Sequence, residues 1–387
     1  MSQKLIYLDN SATTPVIPEV ADEMDRVLRN CFGNPSSMHH LGMDSSKVIK
    51  EARQTVAKTL KCRESEIIFT SCGTEADNLA IIGAATRASR AGKHVITSDI
   101  EHPAVLESMK ALETCGFEVT YLPVNNDAVI DAEELKAAIR PDTVLVSLMY
   151  VNNEVGSVMP VAEAGRAIKS ANPNTLFHVD AVQAYTKMPL RPQSMGIDLL
   201  SASGHKIHAS KGVGFLYASD KVKFNTLMLG GGQQSGRRSG TENVPGIAGM
   251  ALAADKAFSS MEEDVARMYA LKSYFSGELL KLDGVYINGR YGRDSAPHII
   301  SASFEGIRSQ VLLNALDAKG ICVSSGSACS ANHPGISRTL KSMGVKSALL
   351  DSTIRFSMSA LTTKEELDYT LEVLNDTLPV LRRFTRK

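Results

Sequence analysis

Apolar stretches that favour β-strands alternate with helical stretches through the middle of the chain. The strand-like stretches are 67–70, 94–98, 117–124, 143–150, 175–179, 199–203 and 212–218. The stretches of helical composition and spacing are 76–85, 103–114, 132–139 and 161–171. This alternation predicts an α/β fold in which a largely parallel sheet is covered by helices on both faces.

The pattern changes after residue 244. Pro245 opens a long helical stretch that reaches about residue 282, and Pro suits the first turn of a helix. Shorter strand-like and helical stretches then alternate: 298–304, 310–319, 321–324, 336–343, 353–358 and a final helix. Because 387 residues exceed one typical domain, we predict a large domain over 15–260 and a smaller α+β domain over 1–14 and 261–387.

Composition narrows the functional classes. Hydrophobic content of 43% and charged content of 22% are ordinary for a soluble globular protein, and the formal net charge is zero. We therefore expect neither nucleic acid nor a membrane as a partner, because the chain has no basic excess and no apolar run of ~20 residues. The N-terminus lacks a signal-peptide core, and the six cysteines show no Cys-x-x-Cys pair and no zinc spacing. These features predict a cytoplasmic protein with reduced thiols and no metal site.

An aspartate and a lysine stand at the ends of two strand-like stretches. Asp180 follows 175–179, and Lys206 follows 199–203. Either residue alone has an ordinary explanation, since an Asp at a strand end often caps a helix and a Lys beside a Gly is usually solvated. Together they suit pyridoxal phosphate, whose aldehyde forms a Schiff base with a lysine and whose pyridine nitrogen is held protonated by a carboxylate. His102 and Asn153 also fall at the carboxyl ends of strands, where ligands collect in such sheets.

A turn of small residues can bind the phosphate of such a cofactor. Residues 71–75 lie between the strand-like 67–70 and the helical 76–85, and they include Cys72, Gly73 and Thr74. Free N–H groups and the positive end of a helix dipole attract an anion at such a turn. The same pattern also fits a plain strand–turn–helix with a Thr/Glu cap.

Cys329 differs from the other cysteines in its setting. It lies among small and polar residues between 323 and 335, and this composition predicts an exposed loop of about 322–335. Cys31, Cys62, Cys115 and Cys322 sit in apolar or helical settings that are typical of inert thiols. An accessible thiol is the one that reacts, so the loop favours a working role for Cys329.

Taken together, these residues resemble the first group of cysteine desulfurases, the nitrogen-fixation and iron–sulfur-cluster type within the class V aminotransferases. The matching blocks run in order along nearly the whole chain: 7–15, 33–37, 69–78, 101–105, 152–156, 178–183, 204–208, 237–243, 324–329 and 351–357. The resemblance implies a fold-type-I, aminotransferase-like architecture with a mostly parallel seven-stranded sheet in its large domain. It also implies a homodimer that converts L-cysteine to L-alanine, retains the sulfur as a cysteine persulfide and passes it to a sulfur-acceptor protein.

The resemblance also implies a role for each matching residue. Lys206, Cys329 and His102 would be catalytic: Lys206 would bind the cofactor and move protons, Cys329 would attack the substrate sulfur, and His102 would stack on the ring. Asn153 and Arg355 would bind the substrate carboxylate, which suits the planar fork of an arginine. The cofactor would be bound by Cys72, Gly73, Thr74, Asp180, Gln183, Ser203, His205 and Thr241, the last of these reaching the phosphate of the neighbouring subunit.

Some positions depart from the usual pattern of this family, namely Met159, Ala209–Ser210, Gln234–Ser235 and Ser359–Ala360. The alternatives within enzymes are a selenocysteine lyase or another cysteine β-lyase on the same fold, and then an aminotransferase. None of these needs an acceptor thiol such as Cys329. A catalytically silent docking protein would be expected to lack Lys206 or Cys329, and both are present.

Overall fold

The computed structural model describes residues 5–325 and 336–383. The strands are β1 Ile6–Tyr7, β2 Ile67–Thr70, β3 His94–Ser98, β4 Glu118–Leu122, β5 Thr143–Met149, β6 Leu176–Asp180, β7 Leu199–Ser203, β8 Gly214–Ala218, β9 Val285–Ile287, β10 Ile299–Phe304, β11 Ile321–Cys322, β12 Ser324–Ser325 and β13 Thr353–Ser357. The helices are α1 Pro18–Asn30, α2 His40–Leu60, α3 Gly73–Asn78, α4 Ala84–Ala88, α5 Pro103–Thr114, α6 Ala132–Ala138, α7 Val161–Ala171, α8 Val244–Ser259, α9 Met261–Leu279, α10 Ser309–Asp317, α11 Arg338–Ser342, α12 Ser347–Leu350 and α13 Lys364–Arg383. A π-helical turn, Leu79–Gly83, joins α3 to α4, and 3₁₀ turns lie at Glu64–Glu66, Gly204–Lys206 and Gln234–Gly236.

A seven-stranded sheet forms the centre of the molecule, in the order β2-β8-β7-β6-β5-β3-β4. Strands β7, β6, β5, β3 and β4 pair in parallel, whereas β8 is antiparallel to both β7 and β2. All residues of β2, β3, β5, β7 and β8 are buried, as expected for a sheet with helices on both faces. The prediction of an α/β fold with a mostly parallel seven-stranded sheet is therefore confirmed.

Two apolar cores lie against this sheet. The larger packs α1, α2, α7 and α8 on one side and includes Ile49, Val56, Phe177 and Tyr185. The other packs α3, α4 and α5 on the opposite side and includes Ile81, Val105 and Leu145. Burial of these side chains is the main favourable term in the folding of the sheet and its helices.

A second sheet, in the order β12-β13-β10-β9, is antiparallel throughout. Its core contains Phe275, Phe304 and Phe356, and it also takes in Ile6 and Leu8 from the start of the described chain. β1 pairs in parallel with β11, so the N-terminal segment is joined to residues more than 300 positions away. The division into domains at residues 15 and 260 stays a prediction.

Five predicted elements have the same bounds in the structure: β2, β3, β7, α5 and α7. Differences arise where distant contacts intervene. The helical stretch after Pro245 is broken at Ser260, where the backbone turns to φ −111° and ψ 7° between α8 and α9. The single strand predicted at 321–324 is two strands, because β11 pairs with β1 and β12 pairs with β13.

Helices α1 and α2 were not predicted, although α2 carries a clear signal. Its buried residues include Ile49, Ala52, Val56 and Leu60, and this spacing of three and four places them on one face of a helix. That face packs into the larger core against α8. Within the described ranges, no helix is both long enough and apolar enough to cross a membrane.

A buried histidine ties three adjacent strands of the large sheet together. His178 lies on β6, its Nδ1 is 2.8 Å from Ser147 Oγ on β5, and its Nε2 is 2.9 Å from Ser201 Oγ on β7. Burial lowers the pKa of His178 from 6.5 to about 3. The ring is therefore neutral at pH 7 and serves as a hydrogen-bonding bridge.

The titration of His178 predicts a loss of stability in acid. Since its folded pKa lies below its unfolded pKa, the unfolded chain binds more protons between pH 6.5 and about 3. The stability is thus present above pH 6.5 and falls as the pH falls towards 3. We expect His178→Gln to reduce, by about 1 kcal/mol, the loss of unfolding free energy between pH 7 and pH 5.5. Urea denaturation at the two pH values and at fixed protein concentration measures this difference, and an unchanged difference would contradict the assignment.

Candidate active site

Lys206 ends a 3₁₀ turn that directly follows β7. Its Nζ donates hydrogen bonds to the carbonyl oxygens of Ser11 at 2.5 Å and Ala12 at 2.7 Å. The carbonyl oxygen of Lys206 accepts a hydrogen bond from the Nζ of Lys187 at 2.9 Å, and burial lowers the pKa of Lys187 to about 7. The amine of Lys206 is therefore held between the end of the sheet and the N-terminal segment.

Asp180 is the last residue of β6 and is 6% exposed. Its Oδ1 accepts a hydrogen bond from the backbone N–H of Val182 at 2.9 Å. Burial raises the pKa of Asp180, and the nearby His102 and Lys206 act in the opposite direction. The site thus places a carboxylate among groups that can carry positive charge.

His102 precedes α5 and caps it. Its Nδ1 accepts a hydrogen bond from the backbone N–H of Ala104 at 3.1 Å. Burial lowers the pKa of His102, and the charge of Lys206 adds to this effect while Asp180 opposes it. The ring is therefore neutral near pH 7, and because Nδ1 is an acceptor the proton is on Nε2.

The turn before α3 forms a cradle for an anion. Cys72 caps the helix through its Sγ, which accepts a hydrogen bond from the N–H of Glu75 at 3.4 Å. A Cβ added to Gly73 would come within 2.7 Å of a methyl group of Val182, so only glycine fits at this close approach. Ser203 faces the same space, and its buried Oγ has no hydrogen-bond partner among the described residues.

Two further carboxyl groups are buried beside Asp180. Burial raises the pKa of Glu101 to about 8, and Ser98 donates a hydrogen bond of 2.5 Å to its Oε1. Burial also raises the pKa of Asp77, whose Oδ1 lies 3.6 Å from His178 Nε2. Burial therefore disfavours the charged forms of both groups, whereas Asp180 also has His102 and Lys206 nearby, which favour its charged form.

Arg355 lies on β13 and reaches the large sheet. Its Nη1 donates a hydrogen bond to the carbonyl oxygen of Asn153, and its Nη2 forms an ion pair with Asp9, both at 2.8 Å. The guanidinium is 3% exposed, and its Nε has no partner among the described residues. Arg355 thus holds donors close to Asn153 that can bind a carboxylate.

Many of these side chains line one cavity in the described part of the chain. The cavity has a volume of about 270 Å³, and ten of the predicted site residues line it. These are Cys72, Gly73, Thr74, His102, Asn153, Asp180, Gln183, Ser203, His205 and Lys206. Arg355 adjoins this lining through Asn153, and Thr241 is exposed outside it. Cys329 lies outside the described residues.

Six lining residues were not among the predicted site residues: Ser11, Ala12, Asp77, Met149, Val151 and Val182. Ser11, Ala12 and Asp77 lie in blocks that match the family, and Val182 follows Asp180 by two positions, so their blocks carried a signal. The contacts of Ser11 are tertiary: its carbonyl oxygen also accepts a hydrogen bond from Gln183 Nε2 at 2.9 Å. No local pattern predicts such a contact.

Gln234, one of the unusual positions, has a defined structural role. Its Oε1 accepts hydrogen bonds from the N–H of Phe69 at 2.9 Å and from Arg53 Nη2 at 3.0 Å, and its Nε2 donates to Glu242. The amide can accept from the arginine and donate to the glutamate, which a carboxylate cannot do. Met159 and Ala209 are simply buried in the larger core.

The residues present fit pyridoxal phosphate. The unpartnered Oγ of Ser203 and the tight approach at Gly73 provide a phosphate cradle at a helix start. Asp180 and Lys206 line the same cavity, as the chemistry of that cofactor requires. Among the described residues, no group of three or more His, Cys, Asp or Glu side chains is arranged to bind a metal ion.

Known proteins resemble the chain over nearly its full length. The family model for class-V aminotransferases matches residues 6–370. A protein named cysteine desulfurase IscS from Dictyoglomus turgidum is 43% identical over 97% of this chain and 95% of its own length. A solved NifS-like protein is 40% identical, with a TM-score of 0.93 over 98% of this chain and 100% of its own. A structure described as SspA in complex with cysteine is 32% identical, with a TM-score of 0.80 over 92% of this chain and 100% of its own.

The ion pair between Arg355 and Asp9 predicts a large loss of stability when it is broken. Because Arg355 is buried, we expect Asp9→Ala to lower the unfolding free energy by about 3 kcal/mol. The matched control is Asp351→Ala, which removes the partner of the exposed Arg308 and is expected to cost less than about 1 kcal/mol. Denaturant unfolding measures the loss of unfolding free energy in each variant. Equal losses would show that the buried ion pair stabilises the protein no more than the exposed one.

Proposed function

This chain belongs to the class-V aminotransferases and, within them, to the cysteine desulfurases, and from that premise we propose that it binds pyridoxal phosphate at Lys206 and transfers the sulfur of L-cysteine to Cys329. The observation that carries the proposal is the meeting of Lys206, Asp180, His102 and the Gly73 cradle in one cavity. When bound, the cofactor supplies an aldehyde that bonds to amines and a ring that accepts electrons from the substrate.

The cofactor would be held at both of its ends. The N–H groups of Gly73 and Thr74, with the hydroxyl of Ser203 and the ring of His205, would bind the phosphate. Asp180 would pair with the pyridine nitrogen, and Gln183 would donate to the ring hydroxyl. His205 is suited to this neutral role because burial lowers its pKa to about 4.

The substrate carboxylate would be bound by Arg355 and Asn153. Two donors of Arg355 are already engaged by Asp9 and by the carbonyl oxygen of Asn153, and these contacts orient the guanidinium. The side chain of Asn153 lines the cavity and can donate to the same carboxylate. Binding of the carboxylate by these two residues would direct the substrate Cα towards Lys206.

Lys206 and His102 would move the protons. The Nζ of Lys206 would remove the proton from the substrate Cα and later return a proton to carbon, which fits its position in the lining of the cavity. His102 would stack on the ring, and its Nε2–H would donate to developing negative charge. Its cap to α5 fixes that orientation.

The transfer of sulfur would balance without an added oxidant or reductant. A free thiol with a pKa of ~8.5 must lose its proton before it attacks, so the thiolate of Cys329 forms the S–S bond. The bond between the substrate sulfur and Cβ breaks, and its electron pair stays with carbon, which takes up a proton. The products are L-alanine and a persulfide on Cys329, which a sulfur-acceptor protein would then receive.

We expect the purified protein to show a visible absorbance band, to release alanine from L-cysteine and to gain ~32 Da, the mass of one sulfur, that dithiothreitol removes. Spectrophotometry and intact mass measured without reductant test these outcomes. Alanine release without the added mass would favour a lyase, and no band with no turnover would favour a docking protein.

The matched variant for that experiment is Cys329→Ser. It should keep the absorbance band and lose the added mass, because the thiol is the only group changed. Cys72→Ser is the control, since Cys72 is a second cysteine and lines the cavity. Sulfur that persists on Cys329→Ser and disappears from Cys72→Ser would move the acceptor role to Cys72.

We also propose that the protein is a homodimer whose interface includes residues 227–229. Leu227, Met228 and Leu229 are exposed, Leu229 to 86%, and the first two line a groove with Cys72 and Thr74. A second copy on this groove would bury apolar side chains beside the phosphate cradle and could bring Thr241 to the neighbouring site.

The position of Leu229 predicts that a charge there weakens the dimer. We expect Leu229→Asp to raise the monomer fraction at micromolar concentration, because it places a carboxylate in an apolar contact. Sedimentation velocity measures the change, and Leu5→Asp is the control at another exposed leucine. A monomeric wild-type chain, or equal effects of the two variants, would contradict the proposed interface.

A further inference from the structure

Lys187 is a second lysine beside Lys206, and the chemistry proposed above does not use it. Its Nζ donates a hydrogen bond of 2.9 Å to the carbonyl oxygen of Lys206. The residue as a whole is half-buried, and burial of its amine lowers its pKa to about 7. Lys187 does not line the cavity of about 270 Å³, so its amine lies behind Lys206 and not beside the proposed ligand. Removing a lysine amine from water is unfavourable, and such a position therefore calls for a physical reason.

Ion pairing does not supply that reason. Lys187 and Lys206 both line a second, small cavity of about 50 Å³, and Asp264 is the one carboxylate in its described lining. Asp264 is already paired with Arg267 at 2.9 Å. Among the residues that the structure describes, the Nζ of Lys187 makes one hydrogen bond, and its acceptor is the carbonyl oxygen of Lys206.

The turn that carries Lys187 is held in an unfavourable conformation. The N–H groups of Lys187 and Met188 both donate to the carbonyl oxygen of Ala184 at 2.9 Å. Thr186 lies inside this turn with a φ of 68°, a left-handed conformation that β-branched residues rarely adopt. Such strain persists where the surrounding contacts impose it, and it occurs most often at functional sites. The strain lies at the residue that directly precedes Lys187.

The turn that carries Lys206 is also tightly bonded. The N–H groups of Ile207 and Ala209 donate to the carbonyl oxygen of Gly204 at 3.0 Å and 3.1 Å. His208 has a φ of 65°, so this turn too contains a left-handed residue other than glycine. The carbonyl of Lys206 lies in the planar peptide that joins it to Ile207, and a donor on that oxygen fixes the orientation of the plane at the Cα of Lys206. The orientation at Cα in turn directs the side chain.

From these contacts we propose that Lys187 is a positioning residue for Lys206, whose carbonyl it holds so that the Lys206 side chain enters the cavity in the direction needed to bond to the cofactor aldehyde. The inference rests on the proposed function, because it concerns the bond between Lys206 and that aldehyde. Loss of the Lys187 amine should slow formation of the bond and leave the binding of the phosphate and ring unchanged, since Lys187 does not line the cavity.

The test separates formation of this bond from binding in the cavity. The full chain is freed of cofactor with hydroxylamine and mixed with pyridoxal 5′-phosphate, and the rise of the visible band gives the rate of bond formation. Pyridoxine 5′-phosphate, which has an alcohol in place of the aldehyde, measures binding alone by isothermal titration calorimetry. We expect Lys187→Met to slow the rise of the band about tenfold, the effect of losing one hydrogen bond that involves a charged group, and to keep the Kd of pyridoxine 5′-phosphate within about twofold.

Two further variants control for charge and for burial. Lys187→Arg keeps a positive N–H donor and should keep the rate within about threefold of the wild type. Lys272→Met is the matched control, because burial also lowers the pKa of Lys272 to about 7 and its Nζ donates to Ser295 Oγ and to the carbonyl oxygen of Ala296, both at 2.7 Å. Its amine does not contact the turn of Lys206, so the rate should stay as in the wild type.

Hydrogen exchange of the cofactor-free chain adds a reading that does not depend on the bond. The amides of Ile207 and Ala209 should exchange faster in Lys187→Met than in the wild type, because the turn loses the donor on the carbonyl of Lys206. The same amides should exchange at the wild-type rate in Lys272→Met.

The outcomes distinguish the two proposals. The role of Lys187 is overturned by an unchanged rate or unchanged exchange in Lys187→Met, by equal slowing in Lys272→Met or Lys187→Arg, or by an equal loss of pyridoxine 5′-phosphate binding. A wild-type chain that forms no visible band with pyridoxal 5′-phosphate instead overturns the proposed function, and the exchange rates then judge the contact of Lys187 by themselves. Slower bond formation with unchanged binding and faster exchange of the turn supports the positioning role.

Discussion

The active site depends on the parallel pairing of β6 with β7. The register places Asp180 opposite Ser201, so β7 continues to Ser203 and then turns at Lys206 at the same edge of the sheet. A slip of one residue would turn Asp180 from the cavity face to the opposite face. The apolar residues Val179, Leu200 and Ala202, which are buried on the other face, favour this register because a slip would remove them from the larger core.

Around this pair, burial disfavours the charged forms of other ionisable groups. The pKa values of His102, His178 and Lys187 are lowered and those of Asp77 and Glu101 are raised, in each case first by burial. Charges beside these buried groups interact more strongly than charges at the surface, because the surrounding dielectric is lower.

The second sheet contributes to the same site from a distance in sequence. β13 carries Arg355 to Asp9 and to the carbonyl oxygen of Asn153, and the N-terminal residues Ser11 and Ala12 accept the hydrogen bonds of Lys206. The cavity is thus closed by segments from both ends of the chain.

The sequence alone was sufficient to predict the helices and strands that depend on residues close together in the chain. The start of α5 follows from His102 as cap and Pro103 in the first turn, and β7 follows from a short stretch of apolar and small residues, because caps and hydrophobic patterns act over a few residues. The residue types at 180 and 206 also sufficed to predict a cofactor site, and the order of the matching blocks gave the family.

Four features were not predicted from the sequence: the break at Ser260, the separation of β11 from β12, the contact of Lys206 with Ser11 and the bond from Ser337 to Glu154. They arise between residues far apart in the chain, whose meeting depends on how the helices and sheets pack and leaves no pattern in either segment alone.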